Sequence, residues 1–309
     1  MICSLPAIYN SIRRPKDLVW TQRTSPFSGQ VESCRYGSDG YWVATAASGQ
    51  IATATDPTST WTLRSNPFGG SNRVFDSDYD GTYWVAAGDG GELATATDPT
   101  STWTIRSTPF STSGIYGVRY DGSTYWVIVG AGGSIATATD PTSTWTLRTS
   151  GFGSSLILGL DYDGTTWVIV GTNGKLATAT DPTSTWTLRT SGFTSGELIR
   201  NVVYNSHDGY WVAVGASGQV STTQNPTGTW TKQTAISGAG ELLSVDSNNA
   251  GLWAVAGVSG VMAKAENPSS TWTLVTSSFS SSNVAGICYD NSIWVAGGGS
   301  GKLATGVNS

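Results

Sequence analysis

Residues that hold metal ions or act as reactive nucleophiles are scarce in this chain. Its 309 residues include one histidine, His207, and three cysteines, Cys3, Cys34 and Cys288, without a CxxC pair. Zinc binding and thiol redox chemistry are therefore poor expectations. Cys34 and Cys288 fall at equivalent positions, or one residue apart, in the repeats described below. We expect buried free thiols, with a disulfide between these two as the alternative.

Charged side chains are also few. They make up 12% of the residues, and 16 basic against 21 acidic side chains give a net charge of −5 without a long run of either sign. Nucleic acids and anionic membranes bind clustered Lys and Arg, so neither is an expected partner. No apolar run approaches the roughly 20 residues of a membrane span, and the N-terminus lacks the features of a signal peptide. We expect a soluble protein.

Tryptophan, by contrast, is abundant and regularly spaced. The 14 tryptophans form two interleaved series in which successive members lie 41 to 44 residues apart. That spacing is the length of one four-stranded blade of a β-propeller. Members of the first series lie in segments such as YWVAVG, and they are Trp42, Trp84, Trp126, Trp167, Trp211, Trp253 and Trp294. Members of the second series precede Thr, and they are Trp20, Trp61, Trp103, Trp145, Trp186, Trp230 and Trp272.

The incomplete repeats at the two ends predict how the blades close. Residues 18–21 form an outer strand without inner strands before it, and the last repeat stops after residues 302–305, just where another outer strand is due. A ring in which the N-terminal strand completes the last blade leaves no exposed sheet edge at the seam. We predict an all-β, seven-bladed β-propeller with four antiparallel strands per blade, closed by the N-terminal strand joining the C-terminal blade.

This prediction divides the chain into an N-terminal arm, residues 1–17, and a single propeller domain, residues 18–309. The expected seams between blades lie near residues 26, 67, 109, 151, 192, 236 and 278.

A turn that begins Asp-Pro or Asn-Pro precedes six of the outer tryptophans. Its first side chain can accept hydrogen bonds from the backbone of its own turn, and Pro fixes the next φ angle. One carboxylate per turn is far from the roughly six to eight oxygen ligands of a calcium site, so we expect no metal and no other cofactor. The six residues are Asp56, Asp98, Asp140, Asp181, Asn225 and Asn267.

The turn resembles the Asp-box of BNR-repeat propellers, whose usual form is Ser/Thr-x-Asp-x-Gly-x-Thr-Trp, and the similarity covers residues 18–309. Here Ala54 and its equivalents replace the first hydroxyl residue, and Thr58 and its equivalents replace the glycine. Sialidases, photosystem assembly factors and phage virion proteins carry such boxes. The resemblance therefore implies architecture and little chemistry.

A sialidase is the sharpest enzyme hypothesis that the resemblance implies. It needs three arginines converging on a carboxylate, a tyrosine nucleophile with an acidic partner, and an acid/base aspartate, each placed once around the ring. No Ser–His–Asp arrangement surrounds His207, whose polar turn predicts a solvated side chain. Most arginines instead repeat three positions after the outer tryptophan, as Arg23, Arg64, Arg106, Arg148 and Arg189. We expect no enzyme activity.

The residue before the recurring inner-strand tyrosine alternates in charge over four consecutive blades. We favour a girdle of ion pairs between blades, and the alternative is a polar channel site for a small ligand. The candidate channel ring consists of Arg35, Asp78, Arg119, Asp161 and Asp246, with Val203 and Cys288 in the remaining two blades.

A second candidate ring lies in the loops that leave the outer strands. We favour apolar plugs between the blades, and the alternative is a set of exposed platforms on which sugar rings stack. Its members are Phe27, Phe68, Phe110, Phe152, Phe193 and Phe279, with Ile236 in the remaining blade.

Near-identical segments such as ATATDPTSTWT are similar to duplicated modules of phage structural proteins. The leading hypothesis is a non-catalytic binding or structural propeller located in the virion, a capsid decoration or tail-associated adhesion protein. Its partner would be another virion protein, and a host-surface glycan is a further candidate. The alternatives are a carbohydrate-binding lectin and a photosystem-type assembly factor. A photosystem-type assembly factor is expected to carry a basic patch on one face, and the alternating charges do not supply one.

Two regions are candidates for contact with the protein partner. The first is the N-terminal arm, with the docking residues Arg13, Arg14 and Lys16. The second is a loop face near residues 205–208, 224–250 and 264–267, which depart most from the common repeat.

Overall fold

The computed structural model of the chain describes residues 17–68, 70–248, 250–290 and 292–308. These residues form seven four-stranded antiparallel sheets. The sheets are the blades of a β-propeller, which confirms the predicted fold class. Over the same ranges, no helix has both the length and the apolar character needed to cross a membrane.

The innermost strand of each blade lines a central channel. A bulge follows its first residue, so that Val31 pairs with Ala46 but Ser33 pairs with Thr45. Blades are numbered 1 to 7 in the order of these strands. The strands are Val31–Tyr36, Val74–Tyr79, Ile115–Tyr120, Ile157–Tyr162, Ile199–Asn205, Leu242–Ser247 and Val284–Tyr289.

The second and third strands form the buried middle of each blade. The second strands are Trp42–Ala46, Trp84–Gly88, Trp126–Gly130, Trp167–Gly171, Tyr210–Gly215, Trp253–Gly257 and Trp294–Gly298. The third strands are Ile51–Ala54, Leu93–Ala96, Ser134–Ala138, Leu176–Ala179, Val220–Thr223, Met262–Ala265 and Leu303–Asn308.

Short 3-10 turns connect the second and third strands in blades 2 to 7. Their middle residue has a positive φ, and the glycine after it approaches a neighbouring loop closely. A Cβ atom on Gly133, for example, would lie 2.2 Å from the carbonyl oxygen of Gly153. The turns are Asp89–Gly91, Ala131–Gly133, Thr172–Gly174, Ala216–Gly218, Val258–Gly260 and Gly299–Gly301.

The outermost strand of blade 7 comes from the N-terminal end of the described chain. Leu18–Arg23 pairs antiparallel with Leu303–Asn308, and Trp20 lies opposite Gly306. The predicted ring closure is thus confirmed. The outermost strands of blades 1 to 6 are Thr62–Leu63, Thr104–Arg106, Thr146–Thr149, Thr187–Arg189, Thr231–Lys232 and Thr273–Leu274.

The hydrophobic core lies between adjacent blades. Trp126, which begins the second strand of blade 3, is fully buried in a cluster with Val85 and Leu93 of blade 2 and Phe110 before its own blade. A buried tryptophan removes about 150–250 Å² from water, worth at most about 4–6 kcal/mol. Repetition of this contact around the ring explains the regular tryptophan spacing.

Cys34 and Cys288 form a disulfide, so the expectation of buried free thiols is wrong for this pair. Their Cα atoms lie 6.1 Å apart, within the usual range for a disulfide. The two residues are separated by 254 positions in the sequence, but ring closure makes their innermost strands neighbours. Cys3 lies outside the described residues.

Candidate functional site in the central channel

The innermost strands enclose a cavity of about 780 Å³. Two layers of its wall carry the side chains of interest. The girdle consists of the fifth residues of these strands, which are Arg35, Asp78, Arg119, Asp161, Val203, Asp246 and Cys288. The entrance layer consists of the second residues, which are Glu32, Phe75, Tyr116, Leu158, Arg200, Leu243 and Ala285.

Four girdle residues form a chain of alternating charges across blades 1 to 4. The Nε atom of Arg35 lies 3.3 Å from Oδ1 of Asp78. Arg119 follows, with Nη1 at 3.8 Å from the same Asp78 oxygen and Nε at 3.3 Å from Oδ1 of Asp161. The structure thus brings the repeated charges of the sequence into contact between neighbouring blades.

The girdle aspartates also bind backbone groups of the next blade. The backbone N–H of Tyr120 donates to Oδ2 of Asp78, and that of Tyr204 donates to Oδ2 of Asp161, both at 2.8 Å. An inner strand has unpaired N–H groups at its edge, and ionised acceptors satisfy them strongly. These carboxylates therefore join blades through hydrogen bonds as well as ion pairs.

Burial dominates the protonation of the girdle. It raises the pKa of Asp78 and of Asp161 to about 6, and that of Asp246 to about 7. Arg35 and backbone N–H donors oppose this effect without cancelling it. Burial also raises the pKa of Asp76, in the layer beside the girdle.

The entrance layer combines apolar and charged side chains. The rings of Phe75 and Tyr116 meet edge to face with centroids 5.1 Å apart, and Leu158 of the next blade is half-buried. Nη1 of Arg73 lies 3.5 Å from Oε1 of Glu32, beside this layer.

A second ion pair at the entrance joins Arg200 to Glu241. Arg73 and Arg200 project from blades 2 and 5, and their side chains are 52% and 35% exposed. Sequence reasoning missed the entrance layer because its residues do not repeat. The available signal was the second inner-strand position, which varies while its neighbours recur.

The phenylalanine ring lies inside the protein. Relative exposure runs from 0% for Phe152 to 9% for Phe193, and Ile236 is equally buried. Phe152 packs with Val127 of one blade and Trp167 of the next. Because these side chains are buried, they are not the exposed platforms on which sugar rings could stack.

The Asp-Pro turns are exposed and internally hydrogen-bonded. Oδ1 of Asp56 accepts bonds from the backbone N–H and the hydroxyl of Thr58 at 2.8 and 2.7 Å, which lowers the pKa of Asp56. Nε1 of Trp61 donates to the carbonyl oxygen of Pro57 at 3.2 Å. The other turns repeat these contacts around Asp98, Asp140, Asp181, Asn225 and Asn267.

The repeated arginines lie on the outermost strands or directly after them, away from the channel. Nε of Arg64, for example, donates to the hydroxyl of Thr53 at 2.7 Å, and Arg106 makes the same contact with Thr95. His207 is exposed in its turn. Within the described ranges, no group of three or more His, Cys, Asp or Glu side chains could hold a metal ion.

The predicted docking residues Arg13, Arg14 and Lys16 lie outside the described residues. Their role, the arm of residues 1–17 and the positions of the blade seams stay predictions.

Comparison with known proteins gives structural matches only. No family model matches the chain, and no curated protein matches its sequence. The solved structure of YCF48 bound to D1 peptide is similar, with a TM-score of 0.78 and 14% identity, over 94% of this chain and 97% of that one. YCF48 from Cyanidioschyzon merolae has a TM-score of 0.74 and 15% identity, over 93% of this chain and 98% of that one. At such identities the likeness shows the fold alone.

These findings correct the leading functional hypothesis. The interpretation as a phage virion component, with capsid, tail and adhesion roles, is wrong, because the similar propellers are YCF48 structures. They support neither a virion location nor a glycan partner.

Proposed function

We propose that this chain is a non-catalytic, protein-binding propeller of the photosystem assembly-factor type, which holds an extended peptide of its partner at the channel entrance. The observation that carries the proposal is the entrance layer, where an apolar arc stands between exposed arginines. A similar propeller, YCF48, was solved with a D1 peptide bound.

The apolar arc suits one side chain of an extended peptide. Phe75, Tyr116 and Leu158 lie on consecutive blades and are partly exposed. Aromatic residues held rigidly at a cavity mouth contribute large contact areas at small entropic cost, which is why they dominate protein interfaces. The arc therefore supplies an anchor for an apolar residue.

The arginines beside the arc supply directional contacts. Arg73 is held by Glu32 and Arg200 by Glu241, but a guanidinium has more donors than one carboxylate occupies. Donors left exposed can bind peptide carbonyls or a carboxylate of the partner. Guanidinium donors thus stand at the entrance, and each arginine is balanced by a paired glutamate.

The girdle carboxyls fit a structural role better than a catalytic one. Their raised pKa values arise from burial in a network that links blades, and such networks perturb pKa values as active sites do. The Asp-Pro turns, which resemble the Asp-box, also fit a structural role, because the hydrogen bonds of each turn stay within its own hairpin.

Binding of the D1 peptide tests the proposal. A fluorescently labelled D1 peptide should bind the full chain in an anisotropy titration, and Tyr116→Ala should weaken binding by about tenfold or more. The matched control is Leu147→Ala, which truncates a side chain on an outermost strand that is 53% exposed. A folded wild-type chain that does not bind the peptide would refute the assembly-factor role. Equal binding by wild type and Tyr116→Ala would refute the assigned surface.

A further inference from the structure

Among the described residues, the charged side chains of the channel wall differ in whether they have an ion-pair partner. Four arginines each contact a carboxylate, and two further aspartates, Asp76 and Asp246, have no Lys, Arg or His within 4.0 Å among the described residues. The paired groups are Arg35 with Asp78, Arg73 with Glu32, Arg119 with Asp161, and Arg200 with Glu241.

Asp76 and Asp246 differ in how fully their oxygens are used. Asp76 accepts hydrogen bonds from the hydroxyl of Ser33 and from two backbone N–H groups. Among the described residues, Asp246 accepts hydrogen bonds only from the backbone N–H groups of Ser247 and Tyr289, both at 2.8 Å. A carboxylate can accept about four hydrogen bonds, so Asp246 keeps acceptor capacity toward the channel.

The repeat shows what is missing beside Asp246. In blades 1 and 3 the girdle residue is an arginine that pairs with the aspartate of the following blade, as Arg35 does with Asp78 and Arg119 with Asp161. Blades 5 and 6 continue the pattern with Val203 in the arginine position and Asp246 in the aspartate position. The aspartate and its backbone hydrogen bond are retained, but the cation is replaced by an apolar side chain.

The two girdle neighbours of Asp246 are apolar, and Arg35 and Asp161 act on it from farther around the channel. Val203 stands on one side in the girdle, and the Cys34–Cys288 disulfide stands on the other. Asn201 adds one more acceptor in the same channel, since its Oδ1 is buried and accepts no hydrogen bond from the described residues. A carboxylate in such surroundings is costly unless a cation compensates it.

We infer that the channel binds an alkylammonium or alkylguanidinium group, with its cationic end against Asp246 and its apolar stem against Val203 and the disulfide. Lys and Arg side chains have this build, an apolar stem with a charged tip. Small free amines share it. A cavity of about 780 Å³ has room for either, within the usual range for ligand sites.

Calorimetric titration of the full chain with butylammonium and ethylguanidinium tests the inference. The titration is done at pH 8, where Asp246 is ionised. Wild type should bind both cations at least about tenfold more tightly than 1-pentanol, a neutral molecule of similar length. Asp246→Asn should remove that preference. The control Asp56→Asn changes the same charge on an exposed turn, where two other blades carry Asn naturally.

Val203→Arg is the second variant, and it leaves the Asp246 carboxylate in place. It restores the pair seen in blades 1 and 3, so it should raise the midpoint of thermal unfolding and abolish cation binding. Equal affinity of wild type for the cations and for 1-pentanol would overturn the inference. Unchanged cation binding in Asp246→Asn or in Val203→Arg would do so too.

The source of the cation is found by comparing two further ligands. Tighter binding of a lysine-containing hexapeptide than of spermidine assigns the site to a partner's side chain, and the reverse order assigns it to a free amine. Amine binding at Asp246 and D1-peptide binding at the entrance are measured separately, so either can fail without the other.

Discussion

Trp84 and Asp39 join blades 2 and 1 through a side-chain hydrogen bond, in which Nε1 of the indole donates to Oδ2 of the carboxylate at 2.7 Å. Trp84 is fully buried, and its donor would otherwise lack a partner. Trp126, Trp211 and Trp253 make the equivalent bond to the preceding blade's turn. In these four pairs of adjacent blades, the turn aspartate of one blade thus fixes the tryptophan of the next.

Asp39→Ala should lower the free energy of unfolding by about 1–3 kcal/mol, because it leaves the buried indole N–H unsatisfied. Urea denaturation measures the change. The control is Asp290→Ala, which removes a similar turn aspartate for which the described residues show no tryptophan bond. Equal effects in the two variants would mean that only the turn matters.

Trp20→Ala should destabilise the ring by about 3–5 kcal/mol, since it removes a large buried side chain from the strand that completes blade 7. Val19→Ala, one residue earlier and 49% exposed, should change stability by less than about 0.5 kcal/mol. Thermal unfolding of the two variants gives the comparison. Similar losses from both would contradict the closure described here.

The double substitution Cys34→Ser and Cys288→Ser should cost about 2–5 kcal/mol of stability, because the cross-link closes a loop of 254 residues and so restricts the unfolded chain. Unfolding is measured with and without a reducing agent. Reduced wild type should have the same stability as the double variant, and the reductant should not change the stability of the double variant. A reductant effect that persists in the double variant would count against this disulfide.

Stability should fall as the pH rises from about 4 to 7. Asp246 has an ordinary pKa of 3.8 when exposed and about 7 in the fold, so in this window the folded protein holds a proton that the unfolded chain has released. Linkage then makes each rise in pH unfavourable to folding. Outside the window both states carry the same charge at this residue, and the dependence vanishes.

Asp78 and Asp161 contribute with the same sign up to about pH 6. Arg35 and Asp161 are among the charged groups that act on Asp246 itself. The midpoint of thermal unfolding, measured at intervals over this range, should therefore drop, and Asp246→Asn should flatten the part between pH 6 and 7. A midpoint that climbs with pH would refute the assignment of burial as the dominant cause.

The sequence predicted the fold well because the tryptophan contacts between blades repeat. One Trp in each second strand and one in or just before each outermost strand suffice to count the blades, and the unpaired strand containing Trp20 predicts the closure. The disulfide was harder to predict. Cys34 and Cys288 lie far apart in sequence and become neighbours only once the ring is closed.

The candidate site was predicted in part. The girdle could be predicted because Arg35, Asp78, Arg119 and Asp161 occupy the same repeat position. Tyr116 and the rest of the entrance layer could not be predicted, since a binding surface consists of residues that differ from one repeat to the next. The virion interpretation failed for a related reason: near-identical repeats report duplication of the chain, whereas partners are chosen by the residues that differ.

The origin of blade 7 has a consequence during protein synthesis. Its outermost strand, Leu18–Arg23, leaves the ribosome long before its partner, Leu303–Asn308. Nascent chains therefore carry an unsatisfied strand edge until the partner strand has been synthesised. Exposed edges of this kind invite aggregation, so emergence of Leu303–Asn308 is the step that removes this hazard.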